Sequence, residues 1–486
     1  MSERPPPTAL LTDLYQLTMA CAYWKSGTHT KEAVFHLFFR KHPFQSGFSI
    51  NCGLEDVIRY LQNFEFSQSD LNYLAGLTGA DGRPLFEPGF LEYLKSLRLS
   101  VQIDGIPEGT VVFPNEPLLR IQGPIIEGQI LETALLNIVN FQTLIATKAA
   151  RIGSATRGDP VLEFGLRRAQ GVDGALAASR AAYIGGCAAT SNVLAGKLFG
   201  IPVRGTHAHS WVMSFDDELE AFKAYALALP NNCTFLVDTY DTLAGVRKAV
   251  EVGRWLRSQG HEMIGVRLDS GDLAYLSMEA RKILDAAGFG STQIVASNDL
   301  DEQTIVSLRE QGAAIHVWGV GTRLVTGYDQ PALGGVYKLT AVRAPGRAWQ
   351  YKVKLSEQAI KVSNPGIQQV RRFQKDNEYI GDMIYDVEIG VSDSQTMIDP
   401  LDPTRQKRIP KEAAGRDLLV PILRDGKTVY SLPPLRQIRD LAQRELAGFH
   451  PGIKRFLNPH EYPVGLESRL MQLRTKLILN ARGRKS

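Results

Sequence analysis

Between Val161 and Val317 the chain alternates short apolar runs with longer segments of helical period. Candidate strands are Val161–Leu166, Ile201–Thr206, Thr234–Val237, Met263–Leu268, Gln293–Ala296 and Ala314–Val317. Candidate helices fall near 174–183, 188–198, 216–228, 241–258, 273–287 and 299–311. Strand followed by helix, repeated on this scale, predicts a parallel sheet with crossover helices. Polar signatures follow several different strands, which favours an irregular TIM-like (β/α) barrel over a doubly wound sheet, and no GxGxxG follows a first strand. A short element near Tyr183–Gly186 and a strand at Val336–Leu339 are expected to complete the ring.

On either side the rhythm differs. Leu14, Leu17 and Tyr23 recur at helical spacing behind Thr12 or Asp13 as a cap, and Ala33–Lys41 alternates like a strand. Residues 53–75 and Phe86–Leu97 read as helical. Gly105, Pro107, Gly109, Pro114 and Pro117 punctuate short strands from Leu99 to Gly123, and Glu127–Ala150 carries a long apolar stripe. Beyond Thr340, Trp349–Leu355, 367–395 and 417–431 are strand-rich, with helices near 435–446 and 466–479. The expected division is an α+β domain at 1–135, the barrel at 136–345, a strand-rich return to the first domain at 346–432, and a helical segment at 433–486.

Composition narrows the class. With 486 residues, 44% hydrophobic and 22% charged, the chain has the make-up of a multidomain enzyme. A net charge of +4 with no basic face argues against a nucleic-acid partner. The one basic run is the tail Arg482–Ser486, read as a solubilising end. No uninterrupted apolar run is long enough to span a bilayer, so no membrane role is expected. Met1–Pro7 lacks the apolar core of a signal peptide, and four scattered cysteines form no CxxC; both fit a cytoplasmic protein with reduced thiols.

Candidate chemistry gathers at strand ends. Arg167 and Arg168 suit a carboxylate or phosphate, or one of them pairs with Glu163. His207 and His209 flank Ala208; without cysteines or a second histidine cluster a zinc shell is not expected, and either a base or phosphoryl acceptor or an idle loop histidine fits. Asp269 and Asp272 bracket a Ser-Gly turn, where they can hold Mg²⁺ through its waters or cap the next helix. Gly319-Val320-Gly321-Thr322 lets backbone N–H groups approach a phosphate. Lys338 projects from the last candidate strand. Tyr15 reads as packing, and Arg40 and Lys41 as a solvated strand end or an anion-binding corner.

Six stretches, arriving in order, resemble the nicotinate phosphoribosyltransferase family over roughly residues 10–440. They are Leu11–Met19, Phe38–Lys41, Glu163–Gln170, Gly205–Trp211, Leu268–Asp272 and Gly319–Thr322. The resemblance implies that nicotinate and 5-phosphoribosyl-1-pyrophosphate give nicotinate mononucleotide and pyrophosphate, coupled to ATP hydrolysis with magnesium. It places the phosphorylated histidine at His209, followed by Ser210, with His207 only a neighbour. Tyr15 and Phe164 would sandwich the pyridine ring. Arg167 and Arg168 would meet carboxylate and phosphates, and Asp269, with Asp272, the ribose and its metal. Gly319, Gly321 and Thr322 would hold the 5-phosphate, with Arg40 and Lys338 as further substrate contacts. A homodimer would supply Tyr15 from the second subunit. The nearest rival is a nicotinamide phosphoribosyltransferase; a quinolinate enzyme should be much shorter, and a regulator on a barrel scaffold should lack at least one hallmark.

Overall fold

The structure, a computed structural model, describes residues 8–483; the lead-in Met1–Pro7 and the end of the basic tail lie outside the described residues. The chain forms two compact units, one of residues 145–331 and one combining 1–144 with 332–486. The helix Glu132–Ala155 crosses the boundary between them. No helix among the described residues is long and apolar enough to cross a membrane.

The 145–331 unit is built on a parallel sheet ordered Ala189–Thr190, Val161–Glu163, Val317–Val320, Gln293–Ala296, Gly265–Leu268, Thr234–Leu236. The first strand of the series therefore pairs with the last, Val161 opposite Trp318. Past Thr190 the pairing continues only as a bridge to Val203, and among the described residues no ladder joins Val203 to Thr234. The expected strand Ile201–Thr206 thus shrinks to one contact. Pro202 offers no N–H to a ladder and Gly205 adds backbone freedom, so the run cannot hold a full strand.

Three other expectations shift. Tyr183–Gly186 is the end of the helix Gly171–Ile184, stopped at Gly185 and at Gly186 with φ of 119°; the strand comes later, at Ala189. The last strand of the series is Val317–Val320, not Ala314–Val317, because its pairing with Val161–Glu163 begins only at Trp318, whose N–H meets the Pro160 carbonyl. Val336–Leu339 does not complete the ring. It lies within Gly335–Arg343, antiparallel to Glu32–Phe39, in the other unit. There Tyr337 stacks on Phe35 with centroids 5.0 Å apart and donates to the Gly128 carbonyl at 2.7 Å, an anchorage that local pattern does not reveal.

In the 1–144 and 332–486 unit, the central sheet is antiparallel and mixes both chain halves: Gln350–Tyr351, Gly335–Arg343, Glu32–Phe39, Leu119–Pro124, Gln102–Gly105, Val420–Arg424, Lys427–Thr428. A second, mixed sheet comes wholly from residues after 367. From that second sheet Arg372, which is fully buried, reaches the helix Leu435–Ala447 and the short strand Val111–Val112. Its guanidinium donates to Asp382, to Glu445 at 2.8 Å and to the Val111 carbonyl at 2.7 Å. Beside it Glu116 is pushed well above the carboxylate range by burial and by Asp382. The helices Leu435–Ala447 and Ser468–Ala481 agree closely with expectation.

Candidate active site

All six parallel strands run the same way, so their C-terminal ends and the loops that follow meet along one edge. A cavity of about 410 Å³ opens there, lined by Phe164, Arg167, Arg168, Asp269, Gly319, Gly321 and Thr322 among others. Each lining residue belongs to the 145–331 unit.

Phe164 leaves the strand Val161–Glu163 with its N–H on the Val320 carbonyl at 2.8 Å. A Cβ built on Gly319 would stand 2.8 Å from the Phe164 ring, so glycine there leaves the ring its room against the neighbouring strand. Glu163, 1% exposed, accepts from the Gly165 N–H, from Ser179 Oγ at 2.8 Å and from Thr190 Oγ1 at 2.6 Å. These bonds shape the turn into Leu166–Arg168. Both guanidinia of that turn are exposed and without hydrogen-bond or ion-pair partner among the described residues.

A third cation stands close by. Arg267 donates to Thr206 Oγ1 at 2.6 Å while its Nε is buried with no acceptor. Burial lowers its pKa, Arg167 adds to the effect, and Asp269 and Asp238 oppose it. Two exposed guanidinia beside a third whose buried Nε still lacks an acceptor make a seat suited to an anion.

The two histidines have opposite surroundings. His207 is buried: its Nε2 accepts the Leu236 N–H at 3.2 Å, and its ring packs on Tyr225 at 4.9 Å. Burial pushes its pKa down to about 4. His209 is 38% exposed, with Nδ1 3.1 Å from Thr239 Oγ1. Its Nε2 faces Asp238 Oδ1 at 4.0 Å and Asp269 Oδ2 at 3.9 Å. Asp269 takes its other contact from Ser297 Oγ. Asp238, 1% exposed, accepts from the Asp269 N–H at 2.9 Å and Ser270 Oγ at 2.6 Å, yet its Oδ1 is buried without a partner.

Local pattern singles out neither Asp238, Thr239, Ser297 nor Asn298, and gives Arg267, which opens the Arg267–Asp272 signature, no role of its own. Asp238-Thr239 nevertheless repeats the pattern of Asp269-Ser270, a carboxylate and a hydroxyl directly after an apolar strand. Asn298, at φ of 105°, and Asp299, at 20°, line the cavity in backbone conformations that residues other than glycine avoid. Other candidates lie elsewhere. Asp272 is exposed and caps the helix Leu273–Ala286, accepting the Tyr275 N–H at 3.1 Å. Ser210 is exposed at the start of the short helix His209–Met213. Tyr15, 48% exposed, Arg40 and Lys338 belong to the other unit. Burial lowers the pKa of both Arg40 and Lys338, and Arg40 contributes to the shift at Lys338. Among the described residues no group of three or more His, Cys, Asp or Glu forms a metal cluster.

Comparison with known proteins covers nearly the whole chain. Family profiles of the nicotinate phosphoribosyltransferase N-terminal domain, family and C-terminal domain match residues 10–140, 160–366 and 367–474. A nicotinate phosphoribosyltransferase of Bacillus subtilis (strain 168) is 46% identical over 463 residues, covering 94% of this chain and 92% of that one. One from Caenorhabditis elegans is 40% identical over 545 residues, covering 97% and 94%. The crystal structure of human nicotinic acid phosphoribosyltransferase is similar with a TM-score of 0.83 and 35% identity, over 96% of this chain and 99% of that one.

Proposed function

The chain belongs to the nicotinate phosphoribosyltransferase family, and from that premise we propose how its residues divide the work. The reaction is the ATP-coupled transfer of a phosphoribosyl group from 5-phosphoribosyl-1-pyrophosphate to nicotinate in NAD salvage, yielding nicotinate mononucleotide and pyrophosphate. The observation that carries the assignment of roles is His209 facing two carboxylates beside a cavity rimmed by unpartnered cations.

In this reading the six strands form an irregular (β/α) barrel whose mouth is the active site. Nicotinate stacks on Phe164, and its carboxylate is held by Arg267 with Arg167, an anchoring that an uncharged amide would leave unsatisfied. The ring nitrogen then lies in line with C1 of the sugar as the pyrophosphate leaves, and positioning supplies much of the rate. Asp269 hydrogen-bonds the ribose hydroxyls, and Gly319, Gly321 and Thr322 receive the 5-phosphate. Arg168 offers charge to the departing pyrophosphate. Tyr15, Arg40 and Lys338 complete the site from a second copy of the chain in a homodimer.

Magnesium is the metal this reaction implies. The donors fit it: Asp238 Oδ1 is buried and unsatisfied, and Asp269 keeps one oxygen clear of Ser297. Two carboxylates without a third protein ligand suit an ion held mostly by water and substrate oxygens. When bound, the ion neutralises charge on the pyrophosphate.

His209 is the phosphoryl acceptor from ATP. Thr239 orients its ring through Nδ1, and the added negative charge alters affinity within the cavity, so that ATP drives the cycle without activating nicotinate covalently. The test supplies magnesium and 5-phosphoribosyl-1-pyrophosphate with nicotinate or nicotinamide, each with and without ATP. Product from nicotinate, stimulated by ATP, is expected. The His209→Ala variant should lose the stimulation and keep basal transfer; stimulation that survives the substitution moves the phosphoryl acceptor elsewhere.

A further inference from the structure

Behind the cavity, six charged side chains lock two of its loops together. Arg323 directly follows Thr322, and its Nη1 donates to Asp301 Oδ2 at 2.6 Å. The same guanidinium lies 4.5 Å from the centroid of the Tyr328 ring, which pins it from its own loop. Asp301, 6% exposed, uses its other oxygen to accept the Thr304 N–H at 2.8 Å and so caps the helix Glu302–Glu310. Neither oxygen is spare.

The neighbouring residue repeats the tie. Glu302 accepts from Arg151 Nε at 2.8 Å and pairs with Lys148 at 2.8 Å. Lys148 reaches on to Asp329 at 3.0 Å. The segment from Arg323 to Asp329 is therefore fastened at both ends to the start of one helix. Three cations balance three carboxylates, and Lys148, Arg151 and Glu302 are almost fully buried. Desolvated charges in such a cluster tolerate little displacement, since moving one leaves its partner uncompensated.

What the cluster holds in place is the spacing of two cavity walls. On one side Ser297, Asn298 and Asp299 run from the strand end to Asp301 with positive φ at Asn298 and Asp299. On the other, Gly319, Gly321 and Thr322 run from their strand to Arg323. Strained backbone persists only where its surroundings over-determine it. Here the Ser297–Asp269 hydrogen bond holds one end of the turn and Asp301 the other.

We propose that Arg323 is a positioning residue for the known reaction: through Asp301 it sets the distance between the Ser297–Asp299 turn and the Gly319–Thr322 loop, and with it the affinity for the phosphorylated sugar. This rests on the reading of Gly319–Thr322 as the 5-phosphate loop. Arg323 itself touches no substrate. Its removal loosens the sugar-phosphate subsite while Phe164, Arg167 and Arg267 keep their own supports.

The experiment uses the full chain and the variants Arg323→Met, Arg323→Lys, Asp301→Asn and Thr322→Val, each with a melting temperature and separate KM values for both substrates. Arg323→Met is expected to raise KM for 5-phosphoribosyl-1-pyrophosphate by about tenfold, ~1.4 kcal/mol, since small misplacements of a binding group are costly. KM for nicotinate should stay within about twofold. Arg323→Lys should restore much of the loss, and Asp301→Asn, nearly isosteric and still able to cap the helix, should reproduce it even if Arg323→Met fails to fold. An unchanged sugar-phosphate KM in Arg323→Met, or in Asp301→Asn where that variant alone folds, overturns the proposal. So does a parallel rise of both KM values with a fallen melting temperature. Thr322→Val separates the two claims. If it leaves the sugar-phosphate KM unchanged, the phosphate-loop reading fails; if it raises KM while the Arg323 and Asp301 variants do not, only the positioning role falls.

Discussion

Two histidines stand two residues apart in opposite surroundings, and the buried one makes a prediction that does not depend on the reaction. His207 is 7% exposed, its Nε2 occupied by the Leu236 N–H and its Nδ1 3.4 Å from the Ala208 carbonyl, an arrangement that suits the neutral ring. Burial pushes its pKa down to about 4, whereas in the unfolded chain it titrates near ~6.5. Between those values the unfolded chain binds a proton that the folded one refuses. The stabilisation is complete above roughly 6.5 and is lost as pH falls toward 4, by about 2 kcal/mol at pH 5 and about 3 kcal/mol in the limit. His207→Gln removes the titration and keeps an oxygen for the Leu236 N–H. Denaturant midpoints at pH 7.5 and 5 should fall further for the native chain than for this variant, by a difference of about 2 kcal/mol. With ¹³C-labelled histidine, the one ring signal missing from the variant should not move between pH 8 and 5. A midpoint near 6.5 for that signal, or parallel stability losses, would refute the argument.

Gly319→Ala forces a methyl to within 2.8 Å of the Phe164 ring, an overpacking of about 1–3 kcal/mol. The ring must move, so KM for nicotinate should rise severalfold in steady-state assays while the chain remains folded. Arg372→Leu strips Asp382 and Glu445 of their buried counter-charge. Loss of about 3–5 kcal/mol is expected, read as an earlier unfolding transition. The effect belongs to stability, since none of these residues lines the cavity.

The strand-and-helix rhythm from Val161 onward was legible because each element declares itself over a few residues. Gln293–Ala296 is observed at its expected bounds, and the helices Thr242–Ser258 and Leu273–Ala286 within a residue. Failures came where a neighbour decides. Pro202 cuts short a strand that its flanking apolar residues promise, and the Val317–Val320 register depends on Pro160 and Val161 alongside. In the site, Phe164, Arg167, Arg168, Asp269, Gly319, Gly321 and Thr322 belong to local signatures and line one cavity. Asp272 was an ambiguous reading between metal and cap, and the structure shows it capping a helix.

By itself the sequence determined the family and its reaction, the existence and order of most elements, and the preference for His209 over His207, which came from the resemblance. Tertiary structure decided the surroundings of the two rings: one is buried and hydrogen-bonded while the other opens onto two carboxylates. It also decided that Gly335–Arg343 joins Glu32–Phe39, that Asp238 presents a buried unsatisfied oxygen, and that Arg323 meets Asp301. Each of these is a pairing between residues far apart in the chain. Short-range periodicity records which face of an element is apolar, and it carries no information about which distant polar atom will be there to meet it.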